Sequence, residues 1–237
     1  MDSTSWQAFY QSDLQQVWAL LPVPTLWLCA LLATGSSRDD SFPQARFVRL
    51  YAVVFCVETL LDPIATGPLS GALGFGDAAQ TATMLVFVLL GDFRIFVLFA
   101  AATRPEQGLR RSVREAGLWT LFVPVFAGAT NQALAALVPD LPDQVLWLIY
   151  ELSFVAVALF LRNCLVPARI PNPDDRTRGA LRAVATYVAF YYALWAAADV
   201  LITAVGMDAG WLLRVLPNQL YYAFTVPWVC FVFFRRT

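Results

Sequence analysis

Five acids and one arginine stand in stretches of sequence that are otherwise almost wholly apolar: Glu58, Asp62, Asp92, Arg94, Glu151 and Asp199. An ionisable side chain in such surroundings costs roughly 2.5–3.5 kcal/mol at the centre of a bilayer, and it is usually turned inward and functional. Spacing sorts these groups. Glu58 and Asp62 are four residues apart and share a helix face. Trp147 with Glu151, Trp195 with Asp199 and Asn218 with Tyr222 repeat that spacing. Asp92 and Arg94, two apart, point about 200° from one another and must serve different neighbours. By depth in the membrane, the partner expected for Arg94 is Glu58. The acids outnumber that one cation, and carboxyls left unpaired in a low dielectric take up protons. Such groups are competent general acids and equally the proton sites of a carrier. The catalytic candidates are therefore Glu58, Asp92, Glu151 and Asp199. Asp62, Arg94, Asn131, Trp195, Asn218, Gln219 and Tyr222 are the candidates for holding a substrate.

Two absences narrow the chemistry. The chain has no His, which excludes His-ligated metal centres and His-dependent triads. It has no Lys, so no Schiff base forms on a lysine and a retinal protein is excluded. No metal and no cofactor are expected. The four cysteines, Cys29, Cys56, Cys164 and Cys230, are widely spaced in or beside apolar runs and read as small hydrophobes.

The elements that must position the acids are helices in lipid. Of 237 residues, 59% are hydrophobic and only 14% charged, where a soluble domain carries about 25% charged residues. Seven apolar segments run near 17–34, 47–66, 82–102, 118–138, 144–165, 184–205 and 212–234. Each is long enough to cross a hydrocarbon core of about 30 Å, and only helices can do so with open ends. The expected fold is all-α: one domain over residues 1–237, a polytopic bundle of seven transmembrane helices. The first segment lacks a basic flank and carries Pro22 and Pro24, so it reads as a retained helix.

Arginines fix the orientation. Fourteen of the sixteen fall in the first, third and fifth connections or the C-terminal tail; Arg214 lies opposite and Arg94 inside a helix. Positive residues stay cytoplasmic, which places the N-terminus outside, the C-terminus in the cytoplasm and the protein in the plasma (inner) membrane. On the outer side, 67–77 is too apolar for a solvated linker and is expected either to dip into the interface or cover a cavity, or to be a flexible connector; 139–143 is expected as a proline-fixed turn. In this frame Glu58, Asp92 and Arg94 lie near the midplane, while Asp62, Asn131, Glu151, Asp199 and Asn218 lie in the outer half. The cytoplasmic half is nearly all apolar. Trp6, Trp119, Trp147 and Trp211 read as interfacial anchors. Tyr191, Tyr192, Trp195, Tyr221, Tyr222 and Trp228 lie deeper, where they would wall an acid-lined pocket.

Length, seven helices and the glutamate midway along the second helix resemble the membrane-bound terpene cyclases of fungi and bacteria. That likeness implies protonation of an epoxide or alkene by an acidic residue within a helical bundle. The chain departs from the family's N-x-x-W-E run, reading Val53-Val54-Phe55-Cys56-Val57-Glu58, and offers Asn218 and Gln219 where the family's last helix has an acid. The run Pro217-Asn218-Gln219 is similar in part to the proline–glutamine motif of PQ-loop carriers. Two functions are expected from the residues: an enzyme acting on a lipid or isoprenoid by carboxyl acid–base chemistry, or a small proton-coupled carrier or sensor for a polar or cationic solute. A scaffold whose polar cluster only holds helices together is the third. The partners expected are the lipid bilayer and a hydrophobic or amphipathic small molecule, with no nucleic acid.

Overall fold

The computed structural model describes residues 5–34, 44–138, 143–172 and 175–235. All regular structure among them is helical. A short α1 (Ser5–Tyr10) precedes a wide turn at Leu14–Trp18 and α2 (Pro22–Thr34). Then come α3 (Ala45–Ile64), α4 (Asp77–Thr103), α5 (Leu109–Leu137), α6 (Asp143–Phe160, continuing to Arg169), α7 (Arg176–Thr203), α8 (Ala209–Gln219) and α9 (Thr225–Phe234). Five stretches are long and apolar enough to cross a membrane: Leu14–Thr34, Asp77–Thr103, Leu109–Leu137, Gln144–Arg169 and Arg176–Thr203. The other two expected crossings fall short for a local reason. Charged Arg46, Arg49, Glu58 and Asp62 crowd α3, and Arg214 together with a wide turn interrupts the last stretch.

Several helices run well past their apolar segments. Helix α5 begins nine residues before 118 and α7 eight before 184, because arginine, alanine and glutamate are good helix formers once the chain has left lipid. Asp175 caps α7, its side chain accepting from the Arg178 amide at 3.1 Å, a cap worth about 1 kcal/mol. Residues 67–77 are not a plain connector. Pro63 leads α3 into a wide turn (Ala65–Leu69) with Gly67 off helical geometry, and a short turn at Ser70–Ala72 follows. The Ser70 hydroxyl donates to the Thr66 and Gly67 carbonyls that this break exposes. The turn expected at 139–143 lies mostly outside the described residues, as do Arg38 and Arg236.

The chain divides into two compact units. The first takes the chain up to Gln11 and Leu118–Leu220; the second takes Ser12–Gly117 and the chain from Tyr221 on. In the first, α6 packs along α7, α7 against α8, and α8 against α1. The α7–α8 hairpin turns at Gly206, whose φ of +70° suits glycine. In the second, α3 is central and packs against α2, α4 and α9. The chain passes from one unit to the other inside the wide turn Leu220–Phe224, three residues after Pro217. A proline inside a helix removes an amide donor, and a widened turn of this kind leaves carbonyls open to side chains.

Candidate functional sites

The second unit carries the first cluster. Arg94, on α4, is wholly buried. Its guanidinium donates to the Tyr221 carbonyl at 2.7 Å and to the Thr59 hydroxyl at 3.2 Å, and stands 3.7 Å from the Glu58 carboxylate. The Tyr221 ring lies over it, 4.1 Å from Cζ to the centroid, a cation–π contact strengthened by the burial of both groups. Thr59 in turn donates to the Phe55 carbonyl at 2.7 Å. The pair expected from depth, Glu58 with Arg94, is present. Asp62, one turn beyond Glu58, is buried and lies within hydrogen-bonding reach of Tyr222 and Thr66. Asp92 is buried beside Tyr221.

Glycine makes this arrangement possible. A Cβ on Gly91 would overlap the Tyr221 hydroxyl. The ring cannot retreat without leaving Arg94. Gly91→Ala is therefore expected to lower unfolding stability by about 1–3 kcal/mol, the usual cost of overpacking a filled interior, read from the denaturation midpoint of the solubilised protein. No shift in that midpoint would show that Tyr221 is free to move.

The first unit carries the second cluster. Arg214, on α8, approaches Asp199 of α7 at 2.7 Å and Glu151 of α6 at 3.9 Å. Asp199 is completely buried and Glu151 nearly so. The two carboxyls also lie within hydrogen-bonding reach of one another, a contact that becomes a bond only when one of them holds a proton. Tyr10 and Trp211 flank the guanidinium, with centroids 5.5 and 5.7 Å away. The Tyr10 hydroxyl reaches Asn218 Oδ1 at 3.5 Å. Nearby on α6 and α7, Tyr150, Phe154, Tyr191, Tyr192 and Trp195 form a continuous aromatic cluster, with Phe154 and Tyr192 stacked at 4.4 Å.

These positions correct one expectation and sort the rest. Arg214, expected in an outer connection, is part of α8 and is the counter-charge to two acids. With Thr59, Tyr10 and Gly91, it is among the cluster residues that the sequence alone does not single out. The structure brings Glu58, Asp62, Arg94 and Tyr222 together in one unit, and Glu151, Asp199 and Asn218 together around Arg214 and Tyr10 in the other. Trp195 joins the aromatic cluster. Asn131, half-buried on α5, joins neither group, and Gln219 ends α8 half-buried. An open apolar crevice of about 660 Å³ lies between α5 and α6, lined by Leu118, Trp119, Phe122, Phe126, Val157 and Phe160 among others. None of the carboxyls lines it.

Fold and clusters together define an all-helical protein of membrane-spanning character, with an acid–arginine cluster buried in each of its two units. Compared with known proteins, the chain matches no family model, no curated protein and no solved structure.

Proposed function

We propose that the chain crosses the plasma (inner) membrane seven times, with its N-terminus outside and its C-terminus cytoplasmic, and acts as a membrane-embedded enzyme on a lipid or isoprenoid substrate. The seven crossings are supported by α3, whose 20 residues reach about 30 Å, and by the run from Ala209 to Phe234. Glu58, Asp62 and Arg214 are turned inward onto polar partners and so need not face acyl chains, while Arg46 and Arg49 stand in the first turns of α3, at its end. The arginine distribution supports the orientation.

The observation that carries the enzymatic reading is the Glu151–Asp199 pair sharing Arg214. One guanidinium neutralises one carboxylate. In a low dielectric the second carboxyl is accommodated by holding a proton. Asp199, at 2.7 Å, is the carboxylate; Glu151, at 3.9 Å, holds the transferable proton and is the general acid. Arg214 then offsets the negative charge left on Glu151 when that proton is delivered, against the repulsion of the Asp199 carboxylate. The aromatic faces of Tyr150, Tyr192 and Trp195 suit a developing carbocation, and the crevice between α5 and α6 is wide enough for an acyl or isoprenoid chain arriving from the membrane.

The test is turnover of isoprenoid alcohols and of a total lipid extract by the purified full chain, with products read by mass spectrometry. Glu151→Gln and Asp199→Asn are each expected to lower turnover about 100-fold or more, the lower range for loss of a general acid or its partner; melting stays near that of the unmodified protein in Glu151→Gln, whereas Asp199→Asn, which takes the carboxylate from a buried ion pair, also lowers stability. Full activity in both variants would sink the proposal. Proton-driven accumulation of a solute in proteoliposomes, without covalent change to it, would replace the enzyme with a proton-coupled carrier.

A further inference from the structure

At the opposite end of α5 from its outer tip, Arg110, Arg111 and Arg114 converge with Gln107 on a cavity of about 310 Å³. Spacing puts Arg110, Arg111 and Arg114 on one face at the start of α5, and Gln107 joins them from the short turn Pro105–Gln107 that precedes it. Arg104, in the preceding turn, is already engaged with Glu115 at 4.0 Å. The three cavity arginines are different. Among the described residues none has an ion-pair or hydrogen-bond partner. Two of them stand in the first turn of a 29-residue helix, a turn that holds no acid and where the helix dipole opposes positive charge; Glu115, one turn on, is the residue that engages Arg104. Local conflicts of this sort, unrelieved within the protein, mark functional positions. General attraction to a negatively charged membrane needs basic residues in the loops, but it needs neither their convergence nor a cavity.

We propose that Arg110, Arg111 and Arg114, with Gln107, form a binding site for a phosphomonoester group. The guanidinium fork matches phosphate oxygens in a bidentate way that a point charge cannot. A phosphomonoester carries about 1.5–2 negative charges at neutral pH, so three cations around one such group leave a small positive excess. The Gln107 amide adds a neutral donor at the rim. This site is separate from the Glu151–Asp199 pair and stands whether or not that pair is catalytic.

The experiment is native mass spectrometry of the detergent-solubilised full chain titrated with dioleoyl phosphatidic acid, and in parallel with phosphatidylglycerol, whose phosphodiester carries a single charge. Phosphatidic acid is expected to bind the unmodified chain at least tenfold more tightly than the variant Arg110→Gln/Arg111→Gln/Arg114→Gln. A charge-matched control, Arg162→Gln/Arg169→Gln/Arg182→Gln, is expected to stay within about twofold of the unmodified chain. Because removing three basic residues at once can disturb insertion, Arg114→Gln alone is measured as well and is expected to weaken binding about threefold. An equal loss in the two triple variants, or no loss in Arg114→Gln, overturns the proposal. An excess of inorganic phosphate that displaces phosphatidic acid assigns the site to soluble phosphate compounds; retention of the lipid assigns it to a headgroup.

Discussion

Replacing Arg214 with methionine is expected to destabilise the protein by about 3–5 kcal/mol, as large an effect as any single substitution in the chain should have. The figure is the usual cost of removing one partner from a buried ion pair. Here the partner left behind is Asp199, with no exposed surface, and beside it Glu151 with almost none. Both lose the only guanidinium that approaches them among the described residues. A solvated surface pair would return 0–1 kcal/mol, so the size of the loss distinguishes the two cases. Unfolding of the solubilised protein, followed by tryptophan fluorescence, supplies the measurement. The same substitution combined with Asp199→Asn is expected to recover a large part of the loss, because the charge then goes together with its counter-charge. Loss below about 1 kcal/mol for Arg214→Met alone would mean that water reaches the cluster and that Glu151 has no enclosed proton to deliver.

Arg94→Met is expected to cost a similar amount, about 3–5 kcal/mol, but for a different mixture of reasons. The shortest contact of this guanidinium is to a backbone carbonyl, Tyr221 O at 2.7 Å, while the Glu58 carboxylate stands at 3.7 Å. A hydrogen bond to a charged group contributes about 1.5–3 kcal/mol, and the Tyr221 ring adds a cation–π contribution. Glu58→Gln, which leaves the carbonyl, the threonine and the ring in place, is therefore expected to cost much less than Arg94→Met. A double-mutant cycle between the two positions measures the difference. Arg94→Lys is expected to be nearly as damaging as Arg94→Met, since an ammonium cannot lie flat under the ring and reach two separate acceptors. If Glu58→Gln proves the costlier change, the cluster is organised around its acid, and the Tyr221 carbonyl is not the anchor of Arg94.

The sequence reveals some of this arrangement and hides the rest for physical reasons. The Glu58–Arg94 pair is legible because both residues fall midway along apolar segments, where a charge has nowhere to go except toward an opposite charge at the same depth. Arg214 is not, because it lies three residues into its apolar segment, where a cation reaching back to solvent and a cation turned inward look alike. One signal does exist. Trp211, Arg214 and Asn218 recur at helical spacing, and that face is the one α8 turns toward Tyr10. Asn131 shows the converse error. Depth gives height along the membrane normal but not direction around the helix, and Asn131 joins neither cluster. The extensions of α5 and α7 escape a hydropathy reading because hydropathy marks where lipid ends, not where a helix ends. The contact of Gly91 with Tyr221 has no local signal at all: a glycine in a helix shows that something approaches closely, but not what.

The widened turn after Pro217 has a consequence for how this protein tolerates change. The Leu220 carbonyl accepts from the Tyr187 hydroxyl at 2.7 Å, and the Tyr221 carbonyl from Arg94 at the same distance. In each case the acceptor is main chain, which every amino acid supplies. Position 220 can therefore drift among residues that keep the turn without disturbing what it offers, while the burden of identity shifts to the distant donors, Tyr187 and Arg94. A survey of substitutions along this segment would find position 220 permissive and position 221 not, because the ring of Tyr221 over Arg94 is a side chain that few residues can replace.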